Sequence, residues 1–146
     1  MLLFTLPARQ SRSKSIYPIA AWLYVQLRRE AAGMTRQEVA RRLAGMRVAT
    51  AYHGEFTIAA TRADALALVE MLERPGALAR YPQTIKALGA IFPIDANVYQ
   101  QLAHDPADRH PRICGKCGCS DHDPCTGQEG VCTLEHGLCS RCAGNV

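Results

Sequence analysis

Thr35-Arg36-Gln37-Glu38-Val39-Ala40-Arg41-Arg42-Leu43-Ala44-Gly45 is the stretch on which the fold class turns. Thr35 is suited to cap a helix, because its hydroxyl can accept a bond from an amide of the first turn, and Glu38 three residues later completes a capping box. Val39, Ala40 and Leu43 then share one helical face while Arg36, Arg41 and Arg42 project away from it. Gly45 stops the helix after about three turns, since glycine adopts the left-handed conformation at a helix end at little cost.

The same signals recur on both sides. Toward the N-terminus, residues 16–32 read as a helix, apolar at first and then charged at Arg28, Arg29 and Glu30, with Gly33 as its stop. Residues 1–15 read as a flexible basic tail carrying Arg9, Arg12 and Lys14. Toward the C-terminus, a short element over residues 46–53 closes at Gly54. Thr61 then caps a helix to residue 72 with Ala65, Leu66 and Val69 inward. Arg74-Pro75-Gly76 breaks that helix, residues 82–88 form another that Gly89 stops, and Asp95 caps a last one to residue 103. Histidine, proline and charged residues then crowd a linker. The expected organisation is a tail (1–15), a helical domain (16–103), a linker (104–113) and a cysteine-rich module (114–146).

The basic residues are unevenly placed. Residues 1–60 carry nine Lys and Arg against Glu30, Glu38 and Glu55, a net of +6, whereas residues 61–110 and 111–146 each carry −1, giving +4 for the chain. A localised basic end is the electrostatic footprint of a polyanionic partner. The longest apolar runs, such as residues 19–25, are too short to span a bilayer. The opening Met1–Pro7 is apolar but has neither a basic leader nor a small-residue cleavage site, so a cytoplasmic protein without a membrane partner is expected.

Residues 27–45, with Ala51-Tyr52-His53-Gly54-Glu55 as a closing turn and Ala87-Leu88-Gly89 as a later helix end, resemble the lambda-repressor-like (Xre-type) helix-turn-helix family over about residues 20–92. The resemblance implies a bracing helix over 36–44, a turn at Gly45-Met46 and a recognition helix over 47–53 lying in the major groove of duplex DNA. It implies that Gln37 bonds a phosphate, that Arg47 and Thr50, with His53 beside them, approach bases, and that Arg28, Arg36, Arg41 and Arg42 position the DNA backbone. The recognition segment is sparse in polar side chains, and residues 56–60 match no family position.

All seven cysteines lie between Cys114 and Cys142, in the spacing Cys114-x2-Cys117-x-Cys119-x5-Cys125-x6-Cys132-x6-Cys139-x2-Cys142. An odd number arranged around CxxC pairs favours metal binding in a reducing compartment over a disulfide scaffold. A CxxC turn lets two thiolates converge on one ion while backbone amides offset their charge, and Gly115 and Gly118 suit so tight a turn. Two such pairs separated by 21 residues match a structural four-thiolate zinc site, with Cys114, Cys117, Cys139 and Cys142 as the ligands. Cys119, Cys125 and Cys132 would complete a second site with His122 or His136, or with Asp121 or Asp123. Zn2+ is therefore expected once, with a second ion as an open alternative, and ligand type leaves an iron-sulfur cluster open. The pattern C-x-x-C-G-C-S, a further Cys, then L-C-x-x-C-A resembles a cysteine-rich module of phage- and prophage-borne proteins, from which this chain departs at Thr133-Leu134.

The fold class expected is mainly α: a small helical helix-turn-helix bundle followed by a zinc-ribbon or knuckle-like module with little regular structure. The functional expectation is a phage-type DNA-binding transcriptional regulator acting on double-stranded DNA, with a homodimer allowed. The alternative is a zinc-stapled adaptor or inhibitor that binds a host protein such as a polymerase, nuclease or defence complex. No catalytic residues are expected, because the sequence offers no nucleophile-base set, phosphate loop or usefully spaced carboxylate pair.

Overall fold

The computed structural model describes residues 19–46, 61–127 and 130–143. The expected basic tail over 1–15 and the expected recognition helix over 47–53, with Arg47, Thr50 and His53, lie outside the described residues. The chain is mainly helical, with a C-terminal region of little regular structure.

Helix α1 spans Ala21–Ala31, α2 Arg36–Leu43, α3 Arg62–Leu72, α4 Pro82–Gly89 and α5 Ala96–His104. Three of their starts are set by the side chains that the sequence marks out. Thr35 Oγ1 accepts from the Glu38 amide at 3.1 Å, Thr61 Oγ1 from the Asp64 amide at 3.2 Å, and Asp95 Oδ1 from the amides of Asn97 and Val98 at 2.8 and 3.0 Å. Each bond satisfies amides that a helix start otherwise leaves without partners. Proline at the first position of α4 loses nothing, because no helical carbonyl faces its nitrogen. Gly33 and Gly45 follow α1 and α2 with φ of +70° and +85°.

The five helices enclose one apolar core. Tyr24 and Val25 of α1 meet Val39 and Leu43 of α2, Val69 and Leu72 of α3, Ile85 and Leu88 of α4, and Val98 and Tyr99 of α5. The two buried tyrosines keep their hydroxyls bonded: Tyr24 Oη accepts from the Asp95 amide at 2.9 Å and Tyr99 Oη from the Ala79 amide at 2.7 Å. Burial outweighs those bonds and pushes the Tyr24 phenol up to about 12.

A buried ion cluster ties α1, α2 and the end of α3 together. The Glu73 carboxylate is fully enclosed and accepts from Arg29 Nη2 at 2.7 Å, from Arg29 Nε at 3.0 and 3.1 Å, and from Arg36 Nε at 3.3 Å. Arg29 Nη1 also caps the Met34 carbonyl at 2.8 Å. The guanidinium thus meets its carboxylate through two nitrogens, the geometry that makes such pairs strong.

The expected linker over 104–113 carries local structure of its own. A 3₁₀ turn at Ala107–Arg109 follows α5, and Ile113, directly before the first cysteine, is buried in the helical core. The module itself consists of two short antiparallel hairpins and one helical turn. Strand β1 (Thr126–Gly127) pairs with β2 (Gly130–Val131), β3 (Leu134–Glu135) pairs with β4 (Leu138–Cys139), and α6 (Ser140–Ala143) follows at once. His136 and Gly137 make the two-residue turn between β3 and β4 with φ of 53° and 79°, the left-handed pair that such hairpins require.

The module docks on α1 through Arg28 and Gly118. Arg28, expected to face DNA, is instead buried, with its guanidinium divided between the Pro93 carbonyl at 2.8 Å, the Cys117 carbonyl at 3.2 Å and Asp123 at 3.4 Å. Each of the three guanidinium nitrogens thus has an acceptor within the protein, and burial keeps the fork from being presented to a phosphate. Gly118 has φ of +77°, and a Cβ there would stand 2.8 Å from Arg28 Cδ and 3.1 Å from Leu27 Cβ. Gly118→Ala is therefore expected to loosen the module from α1. The left-handed backbone alone costs roughly 1–2 kcal/mol, and the clash adds to it. Thermal unfolding should show the loss, with faster hydrogen exchange confined to residues 113–143 and the adjoining face of α1.

Candidate metal centre

Four segments bring the thiols together. In the first, Cys114 to Cys119, the chain folds back on itself: the Gly118 amide bonds the Cys114 carbonyl at 2.9 Å and the Cys114 amide bonds the Cys119 carbonyl at 2.8 Å. The Lys116 amide points at Cys114 Sγ at 3.5 Å. The Gly115 amide bonds the Gly137 carbonyl at 2.8 Å, which fastens this turn to the β3–β4 hairpin and so to Cys139 at its end. Helix α6 then returns Cys142 to the same place. Cys125 and Cys132 approach through the other hairpin, where the Cys132 amide bonds the Cys125 carbonyl at 3.0 Å and the Cys125 amide points at Cys132 Sγ at 3.2 Å.

The sulfurs form two groups of four, Cys114, Cys117, Cys139 and Cys142 in one and Cys117, Cys119, Cys125 and Cys139 in the other, with every pair inside a group within 4.8 Å. The first is the outer set expected from the CxxC spacing. The second differs from the expected inner set: it takes Cys117 and Cys139 in place of Cys132 and His122. His122 is exposed in the bend after Ser120, its amide bonded to Ser120 Oγ at 3.2 Å, and His136 is exposed in its hairpin turn. Asp121 pairs with Arg112 at 2.9 Å and Asp123 with Arg28, so neither carboxylate is directed to the thiols. Cys132 Sγ lies 3.7 Å from Cys119 Sγ.

All seven cysteines are free thiols, and the close pairs, Cys117 with Cys125 at 3.6 Å and Cys117 with Cys139 at 3.8 Å, are far beyond a sulfur-sulfur bond of about 2.05 Å. Their ionisation is uneven. Burial raises Cys139, but the amide of Cys142 and the thiols of Cys142, Cys119 and Cys117 donate to its sulfur and bring it down to about 6. Burial likewise raises Cys114, and the amides of Cys117, Cys139 and Lys116 more than offset it. Burial, together with bonds donated to neighbouring sulfurs, pushes Cys125 up to about 12 and raises Cys119 and Cys142 as well. A nest of converging thiols with amides aimed at several of them can hold a metal ion, which displaces the remaining protons on binding.

The residues expected to meet DNA are dispersed. Gln37, Arg41 and Arg42 are exposed on α2, and Arg36 is half-buried because of its bond to Glu73. Gln37, Glu38 and Arg41 line a shallow open hollow with Arg62, Ala63 and Leu66 of α3. Arg28 stands apart from them, at the module. Nothing local in the sequence marks Arg29 and Glu73 as a buried ion pair: the helix that Glu73 follows also carries Asp64 and Glu70, and Arg29 stands beside Arg28. No described helix is long and apolar enough to cross a membrane. Searches against protein-family models, curated proteins and solved structures find no match to this chain.

Proposed function

We propose that the chain is a non-catalytic regulator that binds duplex DNA through the exposed face of α2, and that a zinc-bound module braces α1 from behind. The observation that supports it most is the α2–α3 hollow, where the exposed Arg41 and Arg62 outnumber the single acid Glu38 beside Gln37, with Arg42 also exposed on α2. Arg28 and Arg29 are consumed by internal partners, so the binding charge rests on these residues and on the basic residues outside the described segments. Zinc is the ion favoured by an all-thiolate, four-coordinate set, and such a site is closed and structural. The module contributes folding energy and a fixed platform, and regulation follows from occupancy of a DNA site.

The test is anisotropy of a labelled duplex titrated with the full chain at several salt concentrations. Affinity should fall linearly on a log-log plot, by a slope of about 0.9 for each phosphate contact. Arg41→Glu with Arg42→Glu should weaken binding by about tenfold or more and flatten the slope by about two contacts. Absence of duplex binding, or binding indifferent to salt and to those charge reversals, sinks the proposal. A stoichiometric host protein retained on purification in place of DNA would establish the adaptor alternative.

A further inference from the structure

The two groups of four thiols share Cys117 and Cys139, so they draw on six cysteines and not eight. We propose that the module is a binuclear thiolate cluster in which Cys117 and Cys139 each bridge two divalent ions. Cys114 and Cys142 complete the first ion's shell and Cys119 and Cys125 the second's. This deepens the metal-module reading above and rests on it.

Three observations converge. A metal–sulfur bond of about 2.3 Å in a tetrahedral site sets neighbouring sulfurs about 3.8 Å apart. Cys117 and Cys139 are separated by 3.8 Å and Cys117 and Cys125 by 3.6 Å, both edges of the second tetrahedron, the former shared with the first. The chain gives the two shared residues a central place: Cys117 ends the first turn and Cys139 ends β4, and Arg28 binds the Cys117 carbonyl, setting a cation against the backbone of one bridge. Charge favours sharing as well. Two separate four-thiolate sites would double the negative charge buried beside α1. Two divalent ions on six thiolates carry the same net charge as a single divalent ion on four, because a bridging thiolate serves both. Cys132, the seventh cysteine, belongs to neither group. Its sulfur lies 3.7 Å from Cys119 Sγ but falls outside both groups of mutually close sulfurs, and it accepts the Cys125 amide at 3.2 Å, so it orients a ligand without being one.

The experiment loads the metal-free full chain with ¹¹³Cd²⁺, counts ions by native mass spectrometry and correlates each cadmium resonance with cysteine Hβ protons. Two ions are expected, with the Hβ protons of Cys117 and Cys139 coupled to both resonances and those of the other four ligands coupled to one each. Cys132→Ser should retain both ions. Two ions that share no cysteine, or only one, overturn the proposal, as does loss of the second ion in Cys132→Ser. One ion on Cys114, Cys117, Cys139 and Cys142 overturns it while leaving the mononuclear module intact. No ion at all defeats the metal reading of the module itself.

Discussion

Removal of metal with a strong chelator is expected to unfold residues 114–143 while α1 to α5 remain helical. The module's own apolar content is slight: among the described residues its buried side chains besides cysteine are Leu134 and Ser120. A segment of that size cannot offset the entropy of ordering its backbone from so small a core. Structural zinc in comparable small modules supplies about 10–16 kcal/mol at neutral pH, which is enough to decide whether the module folds. The helical domain has its own core from Tyr24 to Leu102 and should survive. Amide spectra would show collapse of dispersion in the module and shifts, without loss, at Leu27 and Arg28. Metal affinity should also fall as pH is lowered. The Cys139 thiol, held down to about 6, is ionised above that value and protonated below it, so acid competes directly with the ion.

The second large effect is expected at Glu73. Glu73→Ala leaves the Arg29 guanidinium buried without its carboxylate and removes the partner of Arg36. Breaking a buried pair from one side costs about 3–5 kcal/mol, against a total stability for a domain of about 5–15 kcal/mol. Urea denaturation should register the loss as a shifted midpoint with an unchanged slope. Arg29→Met combined with Glu73→Leu should recover most of it, because removing both charges avoids the stranded ion. A Glu73→Ala variant as stable as the parent would show that the ion cluster is not a structural tie.

Local chemistry made much of the helical domain readable. Thr35, Thr61 and Asp95 each cap a helix, as their positions ahead of apolar periodicity imply, because the cap and its amides are two or three residues apart. Gly33 and Gly45 are readable for the same reason. What the sequence could not disclose depends on pairs distant along the chain. Arg28 looked like one more surface cation at a basic helix end, and its three acceptors lie 65 to 95 residues away. Arg29 and Glu73 are 44 residues apart. Ile113 carries no periodic pattern, standing alone between Arg112 and Cys114, so its burial in the helical core escaped a reading that placed a linker there. In the cysteine module the outer group of four thiols follows from CxxC spacing, which is local. The sharing of Cys117 and Cys139 does not, because it depends on how the Gly115–Gly137 contact sets the two ends side by side.

If a thiolate-bound metal folds the C-terminal module against α1, titration of the metal-free full chain with Co²⁺ will couple metal binding to folding. Visible absorption and amide spectra would be followed in the same samples. The intense ligand-field bands of tetrahedral cobalt thiolate should grow in step with the amides of residues 114–143 and with the shifts at Leu27 and Arg28. A module already folded before cobalt is added, or cobalt bound without those bands, would contradict folding by a thiolate-bound metal.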